Sequence, residues 1–275
     1  MARRGAGRLL THAVLIATAA AIGLPFIWMV STSFKSDEEV ALFPPIWVPS
    51  TLHWENYVRV WHAAPFDRFY LNSTITTVVG LVASLLIAAL AAYAFARIEF
   101  PHRDTLFLAV LATMMVPGEM ALVPNYLILR DLNWINSYPG IIVPHIASAF
   151  ACFLLRQAFL SLPSEVFDSA RIDGAGHLRM LFSIALPMTR PVVATLTVFL
   201  FIGKWNAYLW PLVVTNTWDM RTLPIGLRMV RDAESTLGWQ HLMAASLLVM
   251  LPILVIFIVA QRHIIEGIGQ GAVKG

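Results

Sequence analysis

Long apolar runs alternate with short polar segments along the whole chain. An α-helix of about 20 apolar residues crosses the hydrocarbon layer of a bilayer, and six runs of roughly that length are present. They are Leu9–Val30, Leu71–Phe95, Thr105–Ile128, Tyr138–Phe159, Pro191–Val213 and Leu242–Ala260. Because lipid offers no partner to free backbone groups, and these runs are too long for barrel strands, each is predicted to be helical. The pattern predicts an all-α integral membrane protein with six transmembrane helices, forming a single transmembrane domain over residues 1–275.

The composition supports a membrane protein and disfavours several other classes. Hydrophobic residues make up 58% of the 275 residues and charged residues only 13%, which is too little charge for a soluble domain of this size. The net charge of +3 comes from basic residues scattered among loop ends, so we do not predict nucleic-acid binding. Cys152 is the only cysteine, which excludes an intramolecular disulfide and argues against a cysteine-ligated metal.

The first apolar run allows two interpretations. Arg3, Arg4 and Arg8 precede it, and Ala19-Ala20-Ala21 resembles a signal-peptide cleavage site. The run nevertheless continues to Val30, well beyond the core of about 7–15 residues that a signal peptide has. An uncleaved first span is therefore favoured over a signal peptide.

Basic residues predict the orientation of the spans. Cytoplasmic loops carry an excess of Lys and Arg, and a cytoplasmic N-terminus places eleven of these residues inside and seven outside. The inner set is Arg3, Arg4, Arg8, Arg97, Arg103, Arg156, Arg171, Arg179, Arg190, Arg262 and Lys274; the outer set is Lys35, Arg59, Arg68, Arg130, Arg221, Arg228 and Arg231. Both termini are then predicted to be cytoplasmic, in a multi-pass protein of a bacterial plasma membrane.

Residues 32–70 form a long outer loop with its own composition. Pro44, Pro45 and Pro49 disfavour a long helix there. The tryptophans Trp47, Trp54 and Trp61 suit an aromatic belt at the level of the lipid headgroups. A docking surface for an external partner is the alternative, and residues 215–240 form a second sizeable outer segment.

A polar interruption at residues 161–187 separates the fourth and fifth apolar runs. Pro163 suits an early helical position, with Ser161 or Ser164 as the capping residue. Glu165 and Asp168 fall in the first turns, where the helix dipole favours negative charge. The sequence therefore predicts a short cytoplasmic helix that starts near Pro163.

The same segment predicts how that helix ends and what it needs. Val166, Phe167 and Ala170 share one face, which makes an apolar stripe in need of a partner surface. Gly174 is predicted to adopt the left-handed conformation that ends a helix. A second short helix from about residue 177 to 185 would lead to Pro187 and Pro191, which start the fifth span. From the residues alone, an amphipathic linker lying on lipid headgroups explains the pattern equally well.

The interruption resembles a loop of a known family, the permeases of bacterial ATP-binding-cassette importers of the carbohydrate-uptake type. Residues that match the family pattern in register are Pro163, Glu165, Ala170, Ile172, Asp173, Gly174, Ala175, Ile184, Leu186 and Pro187. The departures are Asp168 in place of Glu, Ser169 in place of Ala, and Leu181 at a Phe position. Further similarity lies at Phe153–Gln157, Trp205-Asn206, Tyr208–Pro211, Arg221–Pro224 and from Pro49 to Tyr57.

This resemblance implies a fold, partners and a role for the loop. The fold is the type I importer permease, with a coupling helix between spans 4 and 5 that docks on a cytoplasmic ATPase. The implied coupling residues are Glu165, Val166, Phe167, Asp168, Ala170, Arg171, Asp173, Gly174 and Ala175. The implied partners are a second homologous permease, two copies of the ATPase, an extracytoplasmic solute-binding protein, a sugar-like solute and membrane lipid. The chain itself is expected to bind no cofactor, since ATP and Mg would bind the ATPase subunits.

Polar residues inside the apolar runs are the candidates for a solute path. These are Glu119 and Asn125 in the third run, and Lys204 and Asn206 in the fifth. A charge at mid-membrane costs roughly 2.5–3.5 kcal/mol on insertion scales, so both charges should face the protein interior or a water-filled cavity. Glu119 and Lys204 are predicted to pair with each other, to face the solute, or to lie near the interface and snorkel. Pro117 and Gly118 predict a helix break that frees carbonyls for such a cavity, and His145 is interpreted as a packing residue.

Several kinds of chemistry are absent from the sequence. There is no Gly-x-x-x-x-Gly-Lys-Ser/Thr loop, no His-Glu-x-x-His and no Gly-x-Ser-x-Gly, so nucleotide hydrolysis and the common membrane hydrolases are not predicted. The histidines lack metal-ligand spacing. A non-catalytic transport subunit is expected. The alternatives are an ion-coupled secondary transporter with Glu119 as its coupling carboxylate, and a membrane scaffold or enzyme subunit.

Overall fold

The chain is built from α-helices joined by short turns. A computed structural model describes residues 2–232 and 237–272, with side chains for residues 11–232 and 237–261; Lys274, which enters the predicted orientation, lies outside the described residues. The α-helices are α1 (Ala2–Ser33), α2 (Asp37–Ala41), α3 (Glu55–Ala63), α4 (Phe66–Arg97), α5 (Arg103–Ala112), α6 (Leu122–Asp131), α7 (Tyr138–Ile142), α8 (Ala149–Leu160), α9 (Ser164–Ile172), α10 (His177–Met180), α11 (Leu186–Met188), α12 (Arg190–Trp205), α13 (Leu209–Val214), α14 (Leu223–Asp232) and α15 (Trp239–Ala272). Single turns of 3-10 helix lie at Thr113–Met115, Gly118–Ala121, Val143–His145 and Trp218–Met220, and a π-helical turn at Leu181–Ala185 joins α10 to α11.

The described residues contain up to six potential membrane spans if each bent helix pair counts as one span, and six is the number read from the sequence. Among the described residues, three stretches are long and apolar enough to cross a bilayer as single helices: Thr11–Ser33, Phe66–Arg97 and Trp239–Gln261. Three more consist of helix pairs with a sharp bend, namely Arg103–Met115 with Gly118–Asp131, Tyr138–His145 with Ala149–Leu160, and His177–Met188 with Arg190–Trp205. The all-α membrane fold predicted from the sequence is confirmed.

The bends follow from local sequence. The third span turns by 91° at the step before Gly118, where Pro117 has an extended backbone; the predicted break is confirmed. The fourth span bends by 48°, and the pattern of apolar residues gives no sign of this bend. The second half of this span is a new helix with its own N-cap, Ser148. The Ser148 hydroxyl oxygen accepts a hydrogen bond from the backbone N–H of Ala151 at 3.2 Å.

The fifth span differs most from its prediction. The apolar pattern predicts one helix over Pro191–Val213, but α12 ends at Trp205 and a separate helix, α13, starts at Leu209. Pro187 does not start this span as predicted. It lies instead in the preceding helical segment, His177–Met188, which meets α12 at 85°. Two prolines so close together allow the chain to turn between them, since neither supplies a backbone N–H to an earlier turn.

The described chain divides into two compact units, Met1–Asp67 with Leu223–Leu251 and Arg68–Thr222 with Pro252–Gly275. In the first unit, the long loop that follows α1 is organised around Lys35, which is 1% exposed. Its ammonium donates to the carbonyl of Ile46 at 2.7 Å and lies 3.8 Å from the ring centre of Trp28. Trp47, Trp54 and Trp61 are exposed, so their roles as a lipid belt or a docking surface stay predictions.

The second unit contains the main core and holds both candidate sites. Its core gathers side chains from the C-terminal halves of α4 and α8, from α9 and from the segment 177–188. Asn72 organises the opposite end of α4. Its amide donates to the carbonyls of Asp219 and Arg221 at 2.8 and 2.9 Å, and its oxygen accepts from the Tyr138 hydroxyl at 2.7 Å. This network fixes the segment 215–222 against α4.

Candidate functional site

The loop helix α9 begins one residue later than the sequence predicts. Pro163 precedes the first helical residue, Ser164, and no side chain caps the helix. The predicted cap by Ser161 or Ser164 is therefore wrong: the Ser161 hydroxyl donates to the carbonyl of Ala158 at 2.8 Å. A proline directly before the helix removes one N–H from the set that a cap would satisfy.

The C-terminus of α9 has the predicted left-handed glycine. Gly174 has φ of +76°, and its N–H donates to the carbonyl of Arg171 at 3.0 Å. The N–H of Ala175 donates to the carbonyl of Ala170 at 2.9 Å. These two bonds form a Schellman motif, which ends a helix sharply and satisfies its last carbonyls. The motif fixes the direction in which the chain leaves the helix.

The inward face of α9 packs on the protein's own core. Phe167 is 2% exposed, and Ala170 and Ala175 pack against the same buried cluster. The guanidinium carbon of Arg97 lies 4.1 Å from the ring centre of Phe167. The predicted stripe of Val166, Phe167 and Ala170 is divided: α4 and α8 supply the partner surface for Phe167 and Ala170, whereas Val166 is exposed.

The outward face of the loop is a different set of residues, which we name the loop surface. Ile172 is 87% exposed and Leu178 is 63% exposed, although neither is among the coupling residues implied by the sequence. The sequence does carry a sign of this exposure, because Ile172 is flanked on both sides by charged residues in a polar turn. The loop surface consists of Glu165, Val166, Asp168, Arg171, Ile172, Asp173, Gly174 and Leu178. Asp168 and Arg171 approach to 3.4 Å, but such an exposed pair contributes little stability.

Two arginines join the helix ends beneath the loop surface. The guanidinium of Arg97, at the end of α4, donates to the carbonyls of Phe159 and Leu162 at 2.6 and 2.7 Å. In the opposite direction, the guanidinium of Arg156 in α8 donates to the carbonyl of Phe95 in α4 at 3.2 Å. Each arginine thus satisfies carbonyls at the C-terminal end of the other helix, where positive charge is favoured by the helix dipole. We call Arg97 and Arg156 the arginine clamp.

A cavity of about 380 Å³ opens in the second unit, at the other end of the same helices. Its walls come from α4, from the bend of the fourth span, and from the ends of α12 and α13. The Lys204 ammonium lines the cavity and donates to the carbonyl of His145 at 2.9 Å. The His145 ring lies 5.2 Å from that of Trp210, and the Trp210 indole N–H donates to the carbonyl of Gly140 at 3.1 Å.

The four candidates for a solute path do not come together. Lys204 lines the cavity, whereas Glu119, Asn125 and Asn206 are not among the described residues that form its walls. Glu119 and Asn206 are exposed, and Asn125 is half-buried in α6. Within the described part of the chain no ion pair joins Glu119 to Lys204, so the pairing alternative is not realised. The 91° bend turns the helical segment that carries Glu119 away from the direction of α5.

Continuous helices connect the cavity to the loop. Gly80, in the cavity wall, and Arg97, in the arginine clamp, lie 17 residues apart on α4, a distance of about 25 Å along a helix axis. On α8 the cavity end is Ser148, and the clamp end is Phe159. The same two helices therefore reach both the arginine clamp and the cavity walls. Among the described residues, no group of three or more His, Cys, Asp or Glu side chains is placed to hold a metal ion.

Comparison with known proteins gives a consistent set of relatives. Residues 1–270 match a protein family described as "Binding-protein-dependent transport system inner membrane component". The diacetylchitobiose uptake system permease protein NgcG of Streptomyces coelicolor is 34% identical over 96% of this chain and 88% of its own length. The sn-glycerol-3-phosphate transport system permease protein UgpE of Yersinia enterocolitica is 33% identical over 94% of both chains.

Solved structures show the same fold. A chain of a bacterial ABC transporter involved in the import of the acidic polysaccharide alginate superposes with a TM-score of 0.82 and 25% identity, covering 96% of this chain and 98% of its own. A second structure, of a bacterial alginate ABC transporter in complex with an alginate pentasaccharide-bound periplasmic protein, gives a TM-score of 0.65 at 17% identity. It covers 92% of both chains.

Proposed function

Since the chain belongs to the family of binding-protein-dependent transport system inner membrane components, we propose that it is the transmembrane permease subunit of an ABC importer for a sugar or a sugar-related polyol or phosphodiester. The curated relatives support this solute class, because their names give diacetylchitobiose and sn-glycerol 3-phosphate as cargo. In this proposal the chain performs no catalysis of its own and binds no cofactor; ATP and Mg bind separate ATPase subunits.

The observation that carries the proposal is the division of the loop into two faces. Phe167 is buried against the arginine clamp while Ile172 is 87% exposed, so the outward face is free to engage a cytoplasmic ATPase. Movement of that face passes to α4 and α8 through the clamp and the helix C-termini. The same helices line the cavity, which provides a physical route from ATP-driven motion to a solute site.

The proposed assembly contains more than this chain. A second homologous permease completes the transmembrane part, two ATPase copies lie at the cytoplasmic side, and an extracytoplasmic binding protein delivers the solute. The second structural neighbour supports the last of these, because that alginate transporter is in complex with a periplasmic protein. Both termini of this chain are proposed to be cytoplasmic, which places the loop surface on the ATPase side.

Transport in sealed vesicles tests the proposal. Vesicles that contain the complete importer are assayed with a panel of labelled neutral and acidic sugars, with ATP supplied on the cytoplasmic side. Uptake should require hydrolysable ATP, and Asp173→Ala and Gly174→Pro should abolish uptake while ATP hydrolysis continues and the chain stays in the membrane. Unchanged uptake in both variants would refute the assigned role of the loop. Uptake driven by a proton or sodium gradient without ATP would favour the secondary-transporter alternative.

The orientation has its own test. In a Cys152→Ser background, Arg179→Cys places one thiol of this chain at an exposed position next to the loop surface but outside it. A membrane-impermeant maleimide should label it in inside-out vesicles only. Labelling from the opposite side would contradict the proposed topology.

A further inference from the structure

Lys204 places a positive charge at the cavity wall. Lys204 lies in the last turn of α12, and within the described residues its ammonium has one hydrogen-bond partner, the carbonyl of His145 at 2.9 Å. An ammonium has three N–H donors, so donors remain for another acceptor. The methylene groups and the ammonium pass the open face of Gly80, where an added Cβ would stand only 3.3 Å from the Lys204 side chain. The glycine thus leaves room for the lysine to reach the cavity.

The bend of the fourth span directs a helix N-terminus to the same space. Ala147 and Ser148 line the cavity, and the twelve-residue helix α8 starts at the next residue. The first N–H groups of a helix carry partial positive charge and bind anions. In transporters, interrupted spans place such half-helix ends at the binding site of anionic solute groups. The positive charge of the ammonium and the partial positive charge of the helix end therefore both favour an anion in the cavity.

Thr222 supplies an unsatisfied polar group. It lines the cavity and is 3% exposed, and its hydroxyl has no hydrogen-bond partner within the described part of the chain. A buried hydroxyl without a partner is costly, and such groups are rare in folded proteins. The hydroxyl is itself fully buried, so a ligand oxygen in the cavity satisfies it only if the Thr222 side chain turns toward the cavity. That rotation would offer the solute a hydrogen-bonding group that the described residues leave unused.

We propose that the cavity binds a solute that carries a carboxylate or a phosphate, with the anionic group held by Lys204 and the N-terminus of α8 and an oxygen of the solute held by Thr222. This rests on the proposed function, since it specifies the class of solute that the permease admits. The cavity of about 380 Å³ is large enough for a single sugar unit or a glycerol-sized anion.

The rival explanation is that a carboxylate from a neighbouring subunit completes the site. A lysine in a membrane-spanning segment needs a counter-charge or a water-filled space, and another chain can supply that charge as well as a solute can. The two explanations differ in what free anionic solutes do. A small anion binds the intact assembly if the site is made for solute, and it does not bind if a carboxylate of the neighbour already occupies the site.

The test is binding to the intact membrane assembly, purified in lipid nanodiscs through a tag on this chain. Thermal unfolding is followed with two matched pairs of probes at constant ionic strength: glucuronate against glucose, and glycerol 3-phosphate against glycerol. At least one of the two anions should raise the Tm of the assembly, with an effect that saturates as its concentration increases. The neutral counterpart of that anion should leave the Tm unchanged. Lys204→Met should weaken the apparent Kd by at least about tenfold, Lys204→Arg should restore most of it, and Thr222→Val should weaken it by about tenfold.

Each other outcome overturns the inference. Equal stabilisation by charged and neutral probes, or no stabilisation by either anion, removes the charge selectivity. An anion effect that survives Lys204→Met places the anion elsewhere. Loss of a subunit from the Lys204→Met assembly, with no response to anions in the unmodified protein, supports the neighbouring carboxylate. ATP-dependent uptake of neutral sugars alone would reject this inference and leave the proposed function intact, whereas loss of ATP dependence would reject the function itself.

Discussion

The guanidinium carbon of Arg97 lies 4.1 Å from the ring centre of Phe167, and this contact joins the end of α4 to the loop helix α9. The same guanidinium donates to the carbonyl of Phe159 in α8 and to that of Leu162 just beyond it. One side chain thus holds three helices together directly beneath the exposed loop surface. The contact ties the loop helix to the bundle formed by α4 and α8.

Arg97→Met is expected to loosen the loop from the bundle. The substitution removes two charge-assisted hydrogen bonds and a cation–π contact, which together contribute about 2–3 kcal/mol. Chemical unfolding in detergent should show this loss, and hydrogen exchange should become faster at residues 164–175. Arg130→Met is the control, because among the described contacts the Arg130 side chain bonds only to the adjacent exposed Asp131; it should change stability by less than about 0.5 kcal/mol. Equal effects of both substitutions would contradict the clamp.

Phe167 and Ile172 should separate stability from coupling. Phe167→Ala empties a buried site in the core and should cost about 3–5 kcal/mol, with uptake falling in proportion to the amount of folded protein. Ile172→Asp changes a side chain that is 87% exposed, so the folded protein should keep its stability. Its uptake should nevertheless fall at least about tenfold, because a charge desolvated in an apolar contact is costly. Measuring Tm and uptake for both variants checks the assignment, and full uptake by Ile172→Asp would remove Ile172 from the docking surface.

Gly174 should tolerate substitution poorly for reasons of backbone conformation alone. Its φ is +76° and an added Cβ would meet nothing within 4 Å, so Gly174→Ala should cost about 1 kcal/mol through the left-handed conformation rather than through a clash. Gly174→Asn should cost less. Gly176→Ala is a matched control, since Gly176 also has open space but has φ of −74°. Unfolding measurements on the three variants provide the comparison; a loss at Gly176 as large as at Gly174 would mean that conformation is not the cause.

Asn72→Asp should release the segment 215–222 from α4. The Asn72 amide donates to two carbonyls, and an ionised carboxylate of the same shape can only accept, so it would repel both. A buried polar network broken in this way costs about 2–4 kcal/mol. Hydrogen exchange at residues 215–222 should accelerate together with the drop in stability. Asn216→Asp places the same charge at an exposed position of that segment; if it has the same effect, charge rather than lost hydrogen bonding is responsible.

Much of this protein follows from its sequence. Six apolar runs predict six helical spans because the lipid interior accepts no unpaired backbone groups. Gly174 predicts the end of α9 because few other residues adopt its φ at low cost, and Pro117 with Gly118 predicts the sharp break in the third span. These features depend on neighbouring residues in the chain, so periodicity and local conformation are enough to find them.

The packing of distant helices determines which face of each helix is buried and which is exposed. Apolar periodicity placed Val166, Phe167 and Ala170 on one face, but it did not show that α4 and α8 would cover Phe167 and leave Ile172 outside. It offered Glu119 as a partner for Lys204, whereas the bent third span leaves Glu119 exposed and the bent fourth span brings the carbonyl of His145 to the lysine. Contacts between residues more than fifty positions apart depend on how whole helices pack and bend, and the local pattern of a sequence does not contain that information.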